Sequence, residues 1–131
     1  PGWVKRRQEI AKNYNEAFSR LSFMKTLMVK ENVKHAFHLY VIKLNMEKLS
    51  VNRSKIFKDL RMEKIGAKVH YIPVHLHPFY QKTYGTNVGL CPVAESAYKE
   101  ILSLPIYPRM SKENINIVID SVNRVISKYL K

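Results

Sequence analysis

The sequence is poor in several residues that usually announce a function. It has one cysteine, Cys91, so no disulfide can form within the chain. A single thiol fits a reducing compartment, and the cytoplasm is the expected location. The four glycines are too few and too dispersed for a loop that cradles phosphate. The longest apolar runs are only a few residues, so no transmembrane helix is expected. Pro1-Gly2-Trp3 leads straight into Lys5, Arg6 and Arg7, without the apolar region of a signal peptide. The chain does not begin with Met, so a fragment or a processed chain is expected. Acidic residues are scarce, 10 against 23 Lys plus Arg, which leaves a formal net charge of +13. Those few acids fall mostly along helix faces, which argues against a carboxylate pair for acid/base work. No serine sits in a Gly-x-Ser-x-Gly turn, and Cys91 with a distant histidine is no nucleophile signal without geometry.

What is present describes one globular domain over residues 1–131. The composition is 46% hydrophobic and 25% charged, near the average for folded chains. The basic balance raises nucleic acid, phosphate-bearing ligands or an acidic surface as partners and selects none of them.

Hydrophobic periodicity divides the chain. Ile10, Tyr14, Ala17, Phe18 and Leu21 recur at helical spacing, which predicts an amphipathic helix from about Val4 to Met24. His35 to Leu44 is apolar on both alternating faces, which predicts a central strand covered on both sides. Asn52 can cap a second helix that buries Ile56, Leu60 and Met62 or Ile65, and Gly66 can end it in a left-handed conformation. Lys68 to Ile72 reads as a short strand stopped by Pro73. Residues 73–91, with Pro73, Pro78, Gly85 and Gly89, read as a long irregular segment. Pro92 opens a third helix, with Glu95 in its first turn and Ala94, Ala97 and Ile101 inward. Residues 104–108 can hold an edge strand. Ser111 caps a last helix with the apolar stripe Ile115, Val118, Ile119, Val122, Val125, Ile126 and Tyr129. The order predicts an α/β or α+β fold, a small mixed sheet flanked by helices.

Residues 70–80, HYIPVHLHPFY, carry three of the five histidines and two tyrosines. Three readings are open. His75 and His77, with His70, can form a metal site if the chain is extended, although two prolines and the scarcity of nearby carboxylates weigh against it. His and Tyr can instead recognise a ligand, their apolar bodies and polar tips suiting sugar hydroxyls and stacked rings, and His also phosphate oxygens. The third reading is a packed loop with histidines satisfied by backbone carbonyls. Separately, Arg53, Lys55, Lys58, Arg61, Lys64 and Lys68 form either a solvated helix face or a nucleic-acid surface.

The HAFHLYVIKL run, RSKIF at 53–57, GAKVHYIPVHLHPFYQKTYG and CPVAESAYKEILSLPIYPRMS together carry a resemblance. The chain resembles the C-terminal small domain of the DegT/DnrJ/StrS-type aminotransferases. These are fold-type-I pyridoxal-phosphate enzymes that place an amino group on a nucleotide-linked keto-sugar. The HYxPxHxxPxY loop and the LSLPxxP segment are its specific pieces. The opening RRQEIAKNYNEAF is similar to the family's helix leading into the small domain. The LHPFYQKTYG and YPRMS stretches look closest to members making 4-amino-sugars for surface polysaccharides, the pseudaminic-acid type among them.

The resemblance implies substrate contacts at His70, Tyr71 and His75, with Tyr80 and, more weakly, Tyr84 on the same loop. Arg53 matches a recurrent family position that is equally a capping or structural arginine. His77 is left out, and His35 and His38 are expected to pack. The same resemblance puts the Schiff-base lysine and most cofactor contacts in a larger N-terminal domain. No catalytic, cofactor-binding or metal-binding residue is therefore expected here, and the piece alone is expected to be inactive. The implied partners are a nucleotide-sugar, an amino donor such as glutamate and a second copy in a homodimer, with neither nucleic acid nor membrane. A different class, a stand-alone binding module for nucleotide-sugars or nucleic acid, is the alternative.

Overall fold

The computed structural model describes residues 2–131. Helix α1 spans Gly2–Phe18, strand β1 Met24–Thr26, strand β2 Tyr40–Leu44 and helix α2 Arg53–Met62. Helix α3 follows at Pro78–Tyr84, helix α4 at Pro92–Glu100, strand β3 at Ile101–Leu104 and helix α5 at Lys112–Ser127. The strands form one antiparallel sheet in the order β1-β2-β3, with Met24 opposite Leu44 and Ile42 opposite Leu102. This is the expected mixed architecture, a small sheet flanked by helices.

Helix α5 packs against both α1 and α2, and α4 lies against β2. Their apolar stripes meet in one core. Ile10, Tyr14 and Phe18 from α1, Ile56 and Leu60 from α2, and Val122, Val125 and Ile126 from α5 are buried there with Tyr40, Ile42 and Leu102 of the sheet. Each fully buried aliphatic side chain of this set contributes about 1.5–3 kcal/mol relative to exposure. The Asn52 and Ser111 side chains accept from the backbone N–H groups of Lys55 and Asn114, so both expected caps form. Tyr14 donates to the Pro105 carbonyl at 2.9 Å and Tyr40 to Asn15 at 2.6 Å. Burial pushes both phenols well above their ordinary pKa.

Several expectations are corrected. Helix α1 stops at Phe18 because residues 24–26 pair with β2 instead of continuing the helix. The central strand starts at Tyr40, not His35. The carbonyls of Phe37 and His38 accept from Arg7, and that of His35 from Gln8, so α1 takes the acceptors a neighbouring strand would need. Phe37 also adopts a left-handed φ of 47°, which breaks extension. Strand β2 buries one face only: Tyr40, Ile42 and Leu44 are buried while Lys43 is exposed.

Lys64, with φ 62°, rather than Gly66 takes the left-handed turn after α2, and Ile65 rather than Met62 enters the core. The strand expected at Lys68–Ile72 shrinks to a single bridge between Lys68 and Ser103. Beyond Lys68 an antiparallel partner would run back past Ile101 to Glu100, which already belongs to α4. The edge strand lies at 101–104 instead of 104–108 because Pro105 has no N–H for a further rung. The segment 73–91 is not irregular throughout: it holds a 3₁₀ turn at Val74–Leu76 as well as α3. Pro92 does open α4, but Ala94 is exposed and Glu95 is the helix's buried residue.

Candidate functional site

His70 lies two residues beyond Lys68, whose backbone bridges Ser103 at the sheet edge. Its Nδ1 lies 2.9 Å from the Ser103 hydroxyl, and its ring meets Tyr71 edge-on with centroids 4.8 Å apart. Tyr71 is 72% exposed. Both residues border an open cleft of about 390 Å³, shared with Lys68, Ser103, Pro105 and Tyr107. A half-buried imidazole held through one nitrogen keeps the other for a ligand, and the exposed phenol offers a stacking face and a hydroxyl.

His75 is placed differently. It is 8% exposed, and its Nε2 lies 2.9 Å from Oε1 of Glu95, itself 7% exposed. That oxygen also accepts from the backbone N–H of Gly89 at 2.8 Å and of Cys91 at 3.3 Å. The His75 hydrogen bond chiefly holds the Glu95 carboxyl below the usual carboxylate range; burial opposes this, and the Gly89 and Cys91 amides assist. His75 thus faces inward at the base of the loop, and its ring is occupied by a partner in the protein.

Tyr80 and Tyr84 stand on α3 with Phe79. Tyr80 and Phe79 meet edge-on at 5.4 Å, and Tyr80 and Tyr84 lie 5.9 Å apart. All three rings are exposed, a patch of aromatic surface next to the loop. Arg53 turns toward α4: its guanidinium sits 5.2 Å from the Tyr98 ring centre and donates to the Tyr98 carbonyl. His35 packs edge-on against Phe37, while His38 is exposed.

The structure therefore joins His70 to Tyr71 and places His75 at a separate, buried pair. Ser103 lies in the LSLPxxP segment and Glu95 in the CPVAESAYKE stretch, yet neither pattern marks them as the partners of the two histidines. Glu95 reads as an ordinary first-turn acid, and it reaches His75 across 20 positions of chain. Among the described residues, no three histidine, cysteine or carboxylate side chains gather as a metal site would require. Every one of the lysines is exposed. A Schiff-base lysine needs a desolvated or electrostatically tuned amine, and none of these lysines is desolvated in this structure.

The model of the DegT/DnrJ/EryC1/StrS aminotransferase family matches residues 1–123. The chain belongs to this family. The match takes in the cleft, the His75–Glu95 pair and α3. The chain is 42% identical over 123 residues to the spore coat polysaccharide biosynthesis protein SpsC of Bacillus subtilis, covering 93% of this chain and 32% of SpsC. It is 30% identical over 128 residues to the UDP-4-amino-4,6-dideoxy-N-acetyl-beta-L-altrosamine transaminase of Campylobacter jejuni, covering 98% of this chain and 33% of that protein. The PLP form of Spr1654 from Streptococcus pneumoniae superposes with a TM-score of 0.89 at 27% identity, covering 100% of this chain and 33% of that one. The chain thus spans about a third of the length of the curated relatives it matches. For an aminotransferase-family chain of this extent, the architecture described above is that of the corresponding part of a longer fold.

Proposed function

We propose that this chain is the small C-terminal domain of a pyridoxal-phosphate-dependent aminotransferase acting on a nucleotide-linked keto-sugar. It covers the active-site cleft and positions the substrate. The cofactor and its lysine belong to the remaining part of the protein, so the domain alone does not transaminate. The complete enzyme takes its amino group from a donor such as glutamate and works as a cytoplasmic homodimer. Among the described residues no helix is long and apolar enough to cross a membrane. The relatives named for spore coat polysaccharide and for a UDP-linked amino-sugar support a role in surface polysaccharide synthesis, the pseudaminic-acid type being the reading favoured here.

The observation that carries the reading is the cleft beside the sheet edge, where Ser103 orients His70 and Tyr71 stands open. Groups fixed this way contribute by orientation: they hold a hydroxyl or phosphate oxygen in place before the reaction. Tyr80 adds a ring on the same loop. His75 supports the loop through its pair with Glu95. The separate reading as a stand-alone binding module has no observation in its favour.

The test is a panel of nucleoside-diphosphate-linked keto-sugars offered to the full-length protein with glutamate and pyridoxal phosphate. The expected outcome is formation of an amino-sugar detected by mass, with a UDP-linked 4-keto-sugar among the substrates. Failure to aminate any member, by a protein that is folded and holds its cofactor, would overturn the reading.

A further inference from the structure

Helix α3 poses a physical problem. It is seven residues long, buries no side chain, and carries three exposed rings, Phe79, Tyr80 and Tyr84. An isolated helix of this length is unstable in water, and this one has no apolar face in the core to hold it. Its main packing contact is with the short 3₁₀ turn just before it. Polar ties hold both ends of the segment.

That anchor is Glu95. One carboxylate oxygen receives the His75 imidazole from the near side of α3 and the N–H groups of Gly89 and Cys91 from the far side. The Thr86 hydroxyl adds a second tie, donating to the His75 carbonyl at 2.7 Å. The loop is closed on itself at one buried point, with α3 as the span between. Gly89 adopts a φ of 96°, a conformation few other residues take, and its N–H points to the carboxylate. A buried carboxylate is expensive to desolvate unless its donors are in place. The arrangement therefore favours a single loop geometry: any shift of α3 breaks hydrogen bonds that water cannot fully replace.

We propose that Glu95 is a positioning residue that ties His75, Gly89 and Cys91 into one node and so fixes the helix presenting Tyr80 to the substrate. The proposal rests on the function proposed above, and Glu95 acts through the loop without touching the sugar-nucleotide.

The experiment uses the full-length protein with Glu95→Ala and Glu95→Gln. The amide oxygen of Gln can still accept from all three donors, whereas Ala accepts from none. Expected for Glu95→Ala is a KM for the sugar-nucleotide raised about tenfold or more with kcat changed less than about threefold, the mark of lost ground-state binding. Glu95→Gln should restore KM to near the wild-type value. A wild-type KM in Glu95→Ala overturns the proposal, and so does an equal defect in both variants.

Should Glu95→Ala give no folded protein, Glu95→Asp carries the test. It keeps the charge but shortens the side chain by one methylene, so the carboxylate no longer reaches all three donors, and it should raise KM with kcat little changed; an unchanged KM overturns the proposal. Amide hydrogen exchange separates this outcome from failure of the proposed function. If the wild-type protein aminates no keto-sugar, that function fails by itself. Faster exchange at Gly89 and Cys91 in Glu95→Ala then still supports the node, and unchanged exchange refutes it.

Discussion

His70 and Ser103 meet at the edge of the sheet, the imidazole Nδ1 2.9 Å from the serine hydroxyl. Ser103 is buried on β3, and its backbone bridges Lys68, so its side chain can be changed without unpairing the strand. Ser103→Ala should raise the sugar-nucleotide KM of the full enzyme about fivefold, as expected for one lost hydrogen bond of about 1 kcal/mol. Steady-state kinetics with unchanged KM would show that the imidazole needs no such support.

His70→Ala and Tyr71→Phe bear on the proposed contact itself. Both should weaken use of the sugar-nucleotide while the full-length protein keeps its cofactor, seen as unchanged cofactor absorbance after gel filtration. Loss of cofactor in either variant would place these residues at a different part of the site.

The isolated chain mixed with pyridoxal phosphate should retain no stoichiometric visible absorbance after dialysis. Its lysines are all exposed, and an exposed amine holds the aldehyde only reversibly and without a defined pocket. A band that survives dialysis at one equivalent would mean that a lysine of this domain is a cofactor ligand.

The contact between α2 and α5 predicts an acid-sensitive region. Hydrogen bonds from Lys55 and then Tyr129 hold the Asp59 carboxyl below its ordinary range, and Arg124 does the same for Glu63. Both groups therefore stabilise the folded state above the ordinary carboxylate pKa of about 4, and the stabilisation is lost as pH falls through their lowered folded values. The melting temperature should hold level between about pH 7 and pH 5 and fall below about pH 4. Glu63→Gln combined with Asp59→Asn should flatten that acid limb; a limb of unchanged steepness would assign it to other groups.

Core and surface positions of α5 should separate cleanly. Ile126→Ala empties a fully buried site and should cost about 2–5 kcal/mol. Ile117→Ala removes a side chain that is 54% exposed and should stay within about 0.5 kcal/mol. Denaturant unfolding of the full-length protein, followed by exchange of the α5 amides, measures both.

Much of the helical part was legible beforehand. The 3.6-residue rhythm of α1, α2 and α5, the caps at Asn52 and Ser111, and Pro92 at the start of α4 are local signals, and local signals suffice where a helix makes its own hydrogen bonds. The strands were legible only as apolar runs. Their ends depend on partners: Arg7 and Gln8 take the carbonyls before Tyr40, and Pro105 denies β3 one more rung. The HYxPxHxxPxY motif grouped His70 and His75, which the fold sends to different neighbours.

By itself the sequence determined the family, the helix stripes and the segment that carries the candidate site, because each is written in residue types at fixed short spacing. Only the tertiary structure decided that His70 leans on Ser103 and that His75 is buried against Glu95. Those pairs join positions 33 and 20 residues apart, and no local pattern encodes which distant side chain will satisfy a buried polar group once the chain has closed around it.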